Sequence, residues 1–370
     1  MQIFRDMIGN AMSRPKPLPF LNALAPYVGG RERIDGVDNP IKLSANENPL
    51  GASPHVRDAL AEFSFYEIYP DGSATSLREA LATLHNINPD HIVCANGSDE
   101  ILHLLAQSYL TPDSSVVMTR HGFLVYRLVA EAAGAEVIQV PEPHLCADVD
   151  AILAHVRADT RIVFLANPNN PTGTLLSPSE IMRLHAGLRP DVMLVLDGAY
   201  AEYVPAELTF DQFGLVDQAP NVVVTRTFSK AYGLAALRVG WAYCPAEIAD
   251  ILNRVRGPFN VNSLALKAAQ AALSDQEHIA RSAAHNQHWR DWLTQQLKGL
   301  GIDVVPSFAN FVLLRFASAD EAQRIDEALG RKGLIVRAMG GYGLPESLRV
   351  TVGTENANRR LVAALEEIVA

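Results

Sequence analysis

The sequence predicts an α/β protein built on a mostly parallel sheet, followed by a smaller α+β unit. Three observations lead there. From about residue 90 to 243, short apolar runs alternate with helical patterns, as parallel strands joined by right-handed crossovers do. Several of these runs stop at polar turns, at Asn96-Gly97, Asn170, Asp197 and Lys230. Such sheets place ligands at the carboxyl ends of their strands, where turns of this kind lie. Beyond about residue 247 an alanine-rich helical stretch runs to about 300. Strand-like VVPSFANFVLLRF, GLIVRAM and SLRVTVGT follow, then a last helix.

The chain has 370 residues, room for two domains or for one large unit with a smaller attachment. Charged residues make up 19% and the net charge is −10, whereas nucleic-acid binding needs a basic face; small-molecule chemistry is the expectation. Cys94, Cys146 and Cys244 lie too far apart for a metal-ligand motif or a disulfide framework, so no metal site and a reduced, cytoplasmic setting are expected. The opening MQIFRDMIGNAM has no long apolar run before a cleavage site, and no stretch of about 18 apolar residues occurs anywhere. A soluble, untargeted protein without membrane or nucleic-acid partners is expected.

In chain order, residues 1–45 are broken by Pro15, Pro17, Pro19 and Pro26 and read as an arm. IKLSANENPLGASP is a short strand running into a turn that carries Asn46 and Asn48. Tyr69 precedes a helix that Thr75 or Ser76 is expected to cap, with Glu79 in its first turn. HIVCA then leads through Asn96-Gly97-Ser98-Asp99 into a helix, an arrangement that aims unpaired amides and a positive dipole end at an anion. An ordinary Asp cap explains Ser98 and Asp99 as well. Phe123 follows the turn after SSVVMT, where a ring either stacks on a flat cofactor or joins the core.

RIVFLA ends in NPNNPTG, whose two prolines bracket Asn170 and fix the turn. DVMLVLDGAYAEY closes an apolar strand with Asp197, three residues before Tyr200. A buried aspartate needs a cationic partner, either an arginine or the protonated ring nitrogen of pyridoxal phosphate. In NVVVTRTFSKAYGLAALRVGW, Lys230 directly follows a strand. Burial lowers a lysine's pKa, and a partly neutral amine forms Schiff bases with carbonyls. Ser229 and Arg238 suit a phosphate held close to that amine. Alone, the Ser-Lys pair reads as an exposed strand end beside a structural arginine; with the other strand ends it suggests pyridoxal phosphate. Arg337 and Arg349 stand on or beside later strands, either as surface residues or as anion ligands.

Taken together, LNALAPYVGG, NPNNPTG, LDGAYAEY, RTFSKAYGLAALRVG and IVRAMGGYGLPESLRVTVGT resemble the histidinol-phosphate aminotransferases, a branch of the class I and II pyridoxal-phosphate aminotransferases of fold type I. The likeness covers nearly the whole chain. It implies a large domain, residues 46–250, with a mostly parallel seven-stranded sheet, a small domain at 251–370, and an arm with part of the small domain at 1–45. It also implies transamination of L-histidinol phosphate with 2-oxoglutarate through a Lys230 Schiff base. Asp197 is then expected at the ring nitrogen, Asn170 and Tyr200 at the phenolic oxygen, and Phe123, where many relatives have tyrosine, on the ring face. Ser229, Arg238 and the Ser98 and Asp99 amides are expected on the phosphate, with Tyr69 reaching in from the partner of a homodimer with shared sites. Tyr27, Asn46, Arg337 and Arg349 are expected at the substrate. Rival readings are an aromatic amino acid aminotransferase, a threonine-phosphate decarboxylase and a pyridoxal-phosphate-binding regulator. The last normally needs a DNA-binding module, for which the chain has neither a basic domain nor the length.

Overall fold

A computed structural model describes residues 15–26 and 29–369. Its helices in chain order are α1 (Pro54–Ala61), α2 (Thr75–His85), α3 (Ser98–Tyr109), α4 (Leu124–Ala132), α5 (Val149–His155), α6 (Pro178–Gly187), α7 (Gln212–Gln218), α8 (Ala246–Val255), α9 (Ser263–Leu273), α10 (Gln276–Gly299), α11 (Ala319–Arg331) and α12 (Glu355–Val369). The strands are β1 (Ile41–Lys42), β2 (Ile92–Ala95), β3 (Ser115–Thr119), β4 (Glu136–Val140), β5 (Thr160–Ala166), β6 (Met193–Asp197), β7 (Val222–Thr227), β8 (Gly240–Tyr243), β9 (Asp303–Val305), β10 (Phe311–Arg315), β11 (Leu334–Ile335), β12 (Arg337–Ala338) and β13 (Ser347–Thr351).

The central sheet has seven strands in the order β2-β8-β7-β6-β5-β3-β4. Only β8 runs against the others. Its inner strands are largely apolar on both faces because helices cover both. Side chains alternate between faces along a strand, so Leu194, Leu196, Val222 and Val224 join a core with α1, α2, α5, α6, α7 and α9. Met193, Val195 and Val223 join the opposite core, with α3, α4 and α8. The same alternation turns Asp197 and Thr225, directly paired in register, toward the α3 and α4 side.

A second, antiparallel sheet has the order β12-β13-β10-β9, and β1 pairs with β11. Its core gathers Leu43 with residues of α10, α11 and α12. No described helix is long and apolar enough to cross a membrane.

One helix start differs from expectation. Neither Thr75 nor Ser76 caps α2; the Asp71 carboxylate accepts from the amides of Ser73 (2.9 Å) and Thr75 (2.7 Å). Helix α2 begins at Thr75 itself, so Glu79 falls beyond its first turn.

The turn that delivers Lys230 depends on Gly233, whose φ is +70° and whose amide donates to the Lys230 carbonyl at 2.9 Å. A Cβ there would overlap the backbone of Gly51, while one at Gly36, φ +75°, would meet open space. Gly233→Ala is therefore expected to lower stability by about 2–4 kcal/mol and Gly36→Ala by about 1 kcal/mol, read from denaturant unfolding midpoints. Equal effects would show that backbone approach at Gly233 is unimportant.

Candidate active site

The polar turns noted in the sequence converge at one rim of the central sheet. Ser98, Asp99, Phe123, Asn170, Asp197, Tyr200, Ser229, Lys230 and Arg238 line a single cleft, with small residues such as Ala166 and Ala235 between them.

Strand β7 carries the chain to Lys230 at the rim. The side chain is part-buried, and its amine donates to the Ala45 carbonyl at 3.2 Å and lies 5.9 Å from the Tyr200 ring centre. Burial first, and the positive Arg349 second, push the amine down to about 8, against the pull of Asp99 and Glu47. A usable fraction is therefore neutral near physiological pH, as a nucleophilic or proton-accepting amine requires.

Asp197 ends β6 and is 5% exposed. Its Oδ1 accepts from Thr225 Oγ1 (3.2 Å) and the Ala199 amide (3.1 Å), and its Oδ2 accepts from the Tyr126 hydroxyl (2.6 Å). Burial lifts the carboxyl above the ordinary aspartate range, and these donors pull it back. Hydrogen bonds to a charged group contribute about 1.5–3 kcal/mol each, and a buried ion loses several kcal/mol of hydration. Three donors thus offset much of the penalty. Among the described residues no cation pairs with Asp197. A buried acid that opens into a cleft without a cationic partner fits a ligand that brings its own N–H⁺, as the pyridoxal-phosphate ring does.

The opposite end of the cleft suits an anion. Gly97, with φ +82°, turns the chain into α3, and no side chain caps the helix. The ordinary Asp-cap reading therefore fails: the Asp99 carboxylate instead accepts from Arg238 Nη2 at 3.3 Å. Arg238 Nη1 donates to Ser229 Oγ at 3.2 Å, which gathers the hydroxyl, the guanidinium and the helix start into one corner. A phosphate fits that corner.

Between the two ends, Tyr200 is buried; burial drives its hydroxyl well above the usual phenol range, and it accepts from Asn46 Nδ2 at 2.9 Å. Asn170 Oδ1 accepts from Arg349 Nη1. Phe123 is the residue preceding α4 and lines the cleft. Asn46 is fixed from the second sheet, its amide donating to Thr351 Oγ1 at 2.9 Å and its Oδ1 accepting from the same hydroxyl at 3.2 Å. Arg349 on β13 is buried, donates to the Ser44 carbonyl at 3.0 Å, and is directly paired with Arg337 on β12. Like charges directly opposite are unfavourable in a sheet.

Tyr69 lies apart from its own chain's cleft. It is 77% exposed and stacks on Phe259, with ring centres 4.7 Å apart and planes 19° apart. Tyr27 lies outside the described residues. Sequence reading missed Tyr126 and Thr225, the two side chains that hold Asp197. The spacing of Tyr126 three residues after Phe123 on a helix, and of Thr225 two before the end of β7, was visible; their meeting with Asp197 was not.

The family model described as Aminotransferase class I and II matches residues 38–365. A histidinol-phosphate aminotransferase of Rhodospirillum rubrum is 50% identical over 359 residues, 96% of this chain and 97% of that one. One of Cereibacter sphaeroides is 48% identical over 352 residues, 95% and 97% of the two chains. The crystal structure of histidinol-phosphate aminotransferase from Sinorhizobium meliloti in complex with pyridoxal-5'-phosphate superimposes with a TM-score of 0.91 at 28% identity, covering 97% of this chain and 98% of that one. With the family model spanning most of its length and relatives 48% and 50% identical over nearly all of it, the chain belongs to the class I and II aminotransferases.

Proposed function

We propose that this chain transfers the amino group of L-histidinol phosphate to 2-oxoglutarate with pyridoxal 5'-phosphate as cofactor, a step of histidine biosynthesis. The observation that carries the reading is the presence, in one cleft, of a lysine amine lowered to about 8 and a buried aspartate that forms no ion pair among the described residues. The near-full-length likeness to histidinol-phosphate aminotransferases supports the substrate. It favours this reading over an aromatic amino acid aminotransferase, a decarboxylase or a regulator.

On this reading the Ser98 and Asp99 amides, Ser229 and Arg238 would hold the cofactor phosphate, Phe123 would cover the ring, Asn170 and Tyr200 would bond its phenolic oxygen, and Asp197 would serve its ring nitrogen. The cofactor, when bound, supplies an aldehyde that condenses with amines and a ring that takes up an electron pair. Lys230 Nζ accepts the proton from the amine-bearing carbon of the substrate, a role its lowered pKa suits. Asp197 keeps a proton on the facing nitrogen. Arg349 and Arg337, with Asn46 and Tyr27, receive the substrate's anionic groups, a carboxylate in one half-reaction and a phosphate in the other.

The functional unit in this reading is a homodimer with shared sites. Phe65, Tyr66, Ile68 and Tyr69 are exposed together beside Phe259, an apolar patch of the kind that marks an interface, and Tyr69 within it serves the partner's cofactor phosphate. Helix α10 contributes to both cores, Ile279 to the sheet core and Leu293 and Leu297 to the second.

Three measurements test this reading. Purified protein is expected to form glutamate from 2-oxoglutarate in the presence of histidinol phosphate, with Lys230→Ala reducing the rate by about 10³-fold or more; turnover of aromatic amino acids alone would remove the substrate, and carbon dioxide release would point to the decarboxylase. In cofactor-free protein, an amine-selective reagent at mildly alkaline pH is expected to modify Lys230 ahead of the other five lysines, with a midpoint near 8, as read by peptide mass mapping; uniform labelling would contradict the lowered pKa. Mixing Lys230→Ala with Tyr69→Ala subunits is expected to restore activity that neither variant has alone, because the mixed dimer holds one complete site. No recovery would rule out a shared site.

A further inference from the structure

The two oxygens of Asp197 are held from different parts of the fold. Oδ1 is served locally, by Thr225 from the neighbouring strand and by the Ala199 amide two residues on. Among the described residues Oδ2 has one donor, the Tyr126 hydroxyl at 2.6 Å, which comes from helix α4, 71 residues away in sequence. Tyr126 is 1% exposed. Its ring lies flat on Phe164 of β5, with centres 4.8 Å apart and planes 4° apart, and meets Phe123 edge-on at 5.7 Å and 88°. Clamped from two sides, the ring cannot swing its hydroxyl away. Burial and the neighbouring carboxylate hold that hydroxyl protonated, so it donates.

We propose that Tyr126 is a positioning residue for cofactor binding, whose clamped hydroxyl fixes the orientation of Asp197 and keeps its carboxylate ionised. One end of helix α4 thus performs two tasks: Phe123 at its start lines the cleft, and Tyr126 one turn later supports the acid beneath. The arrangement follows from two periodicities. Residues three apart share a helix face, and alternation along β5, β6 and β7 turns Phe164, Asp197 and Thr225 to the side that α4 covers. This inference rests on the reading of Asp197 as the acid that faces the cofactor's ring nitrogen.

The sign of the effect follows from the donor. Without the hydroxyl, the carboxylate loses a partner that favours its charged form, so its proton is held more tightly and its charge is lost at higher pH. The other ionisable groups around it, Asp99 of α3, Tyr200, Arg226 on β7 and Lys230, stay the same in the variant.

Tyr126→Phe keeps the ring and its packing. Cofactor-free protein is titrated with pyridoxal phosphate from mildly acid to mildly alkaline pH, and binding is followed by quenching of protein fluorescence. The variant is expected to bind about tenfold more weakly near neutrality, and the pH at which affinity falls on acidification is expected to rise by about one unit. A merely structural loss would weaken binding without moving that limb. Incorporating a fluorinated tyrosine at position 126 makes a stronger donor and is expected to move the limb the other way, which also covers the case of a poorly folded phenylalanine variant. Superimposable curves for wild type and variants would overturn the proposal. Asp197→Asn separates it from the reading beneath it: if that variant weakens binding and Tyr126→Phe does not, only the role of Tyr126 falls, whereas unaltered binding by Asp197→Asn removes both.

Discussion

Burying a carboxylate without a cation beside it is the constraint around which this molecule is arranged. Asp197 sits at the carboxyl end of a central strand, and three neutral donors hydrogen-bond its carboxylate. Each donor reports a different level of structure. Thr225 depends on the register of β6 with β7, the Ala199 amide on the turn that follows β6, and Tyr126 on the docking of α4 against β5. The charge stays buried only while the sheet, the turn and the helix layer are all in place. A cationic ligand completes the balance, so binding energy is available where a ring nitrogen would be held.

The lysine is treated in the opposite way. Where Asp197 receives donors that favour its charge, Lys230 is disfavoured as a cation by burial first and by the neighbouring Arg349 second, against the pull of Asp99 and Glu47. Burial alone acts against charge on both groups, and the difference comes from what each one touches. The parallel sheet makes this possible, since it brings strand ends far apart in sequence to one rim and leaves their turns free to carry different side chains.

Much of this was legible before any coordinates. Apolar strands ending in Asn96-Gly97, Asn170, Asp197 and Lys230 announce a rim because each polar residue interrupts a run that otherwise belongs to the core, and all four turns lie there. Tyr126 was not legible. In the sequence it is one aromatic on an apolar helix face, indistinguishable from a core residue, and only the angle at which α4 packs on β5 turns its hydroxyl to Asp197. The start of α2 was misplaced for a related reason. Ala74 takes a left-handed conformation at φ 49°, and the capping oxygen comes from Asp71, so the local rule of a hydroxyl at the first helical position pointed to the wrong residue. Short-range rules fail where the backbone bends before the helix begins.

The stretch Ser44 to Asn46 shows how the two sheets are made to share one site. Ser44 gives its carbonyl to Arg349, Ala45 gives its carbonyl to Lys230, and Asn46 bonds Tyr200 on one side and Thr351 on the other. Asn310 adds a bond to the Asn46 carbonyl at 2.9 Å, and Asn46 itself holds φ +57°, a conformation that asparagine tolerates better than most residues. Three consecutive residues thus tie β13 of the second sheet to the lysine and tyrosine of the first. Because Arg349 also bonds Asn170, a shift of β13 relative to the central sheet cannot occur without disturbing groups on both walls of the cleft. The position of Arg349 and the state of the Lys230 amine are therefore mechanically and electrostatically one variable, since the same Arg349 that is proposed to meet the substrate also lowers the pKa of the lysine. An anion that neutralises Arg349 weakens that effect, so the amine's proton affinity rises and its neutral fraction near physiological pH falls.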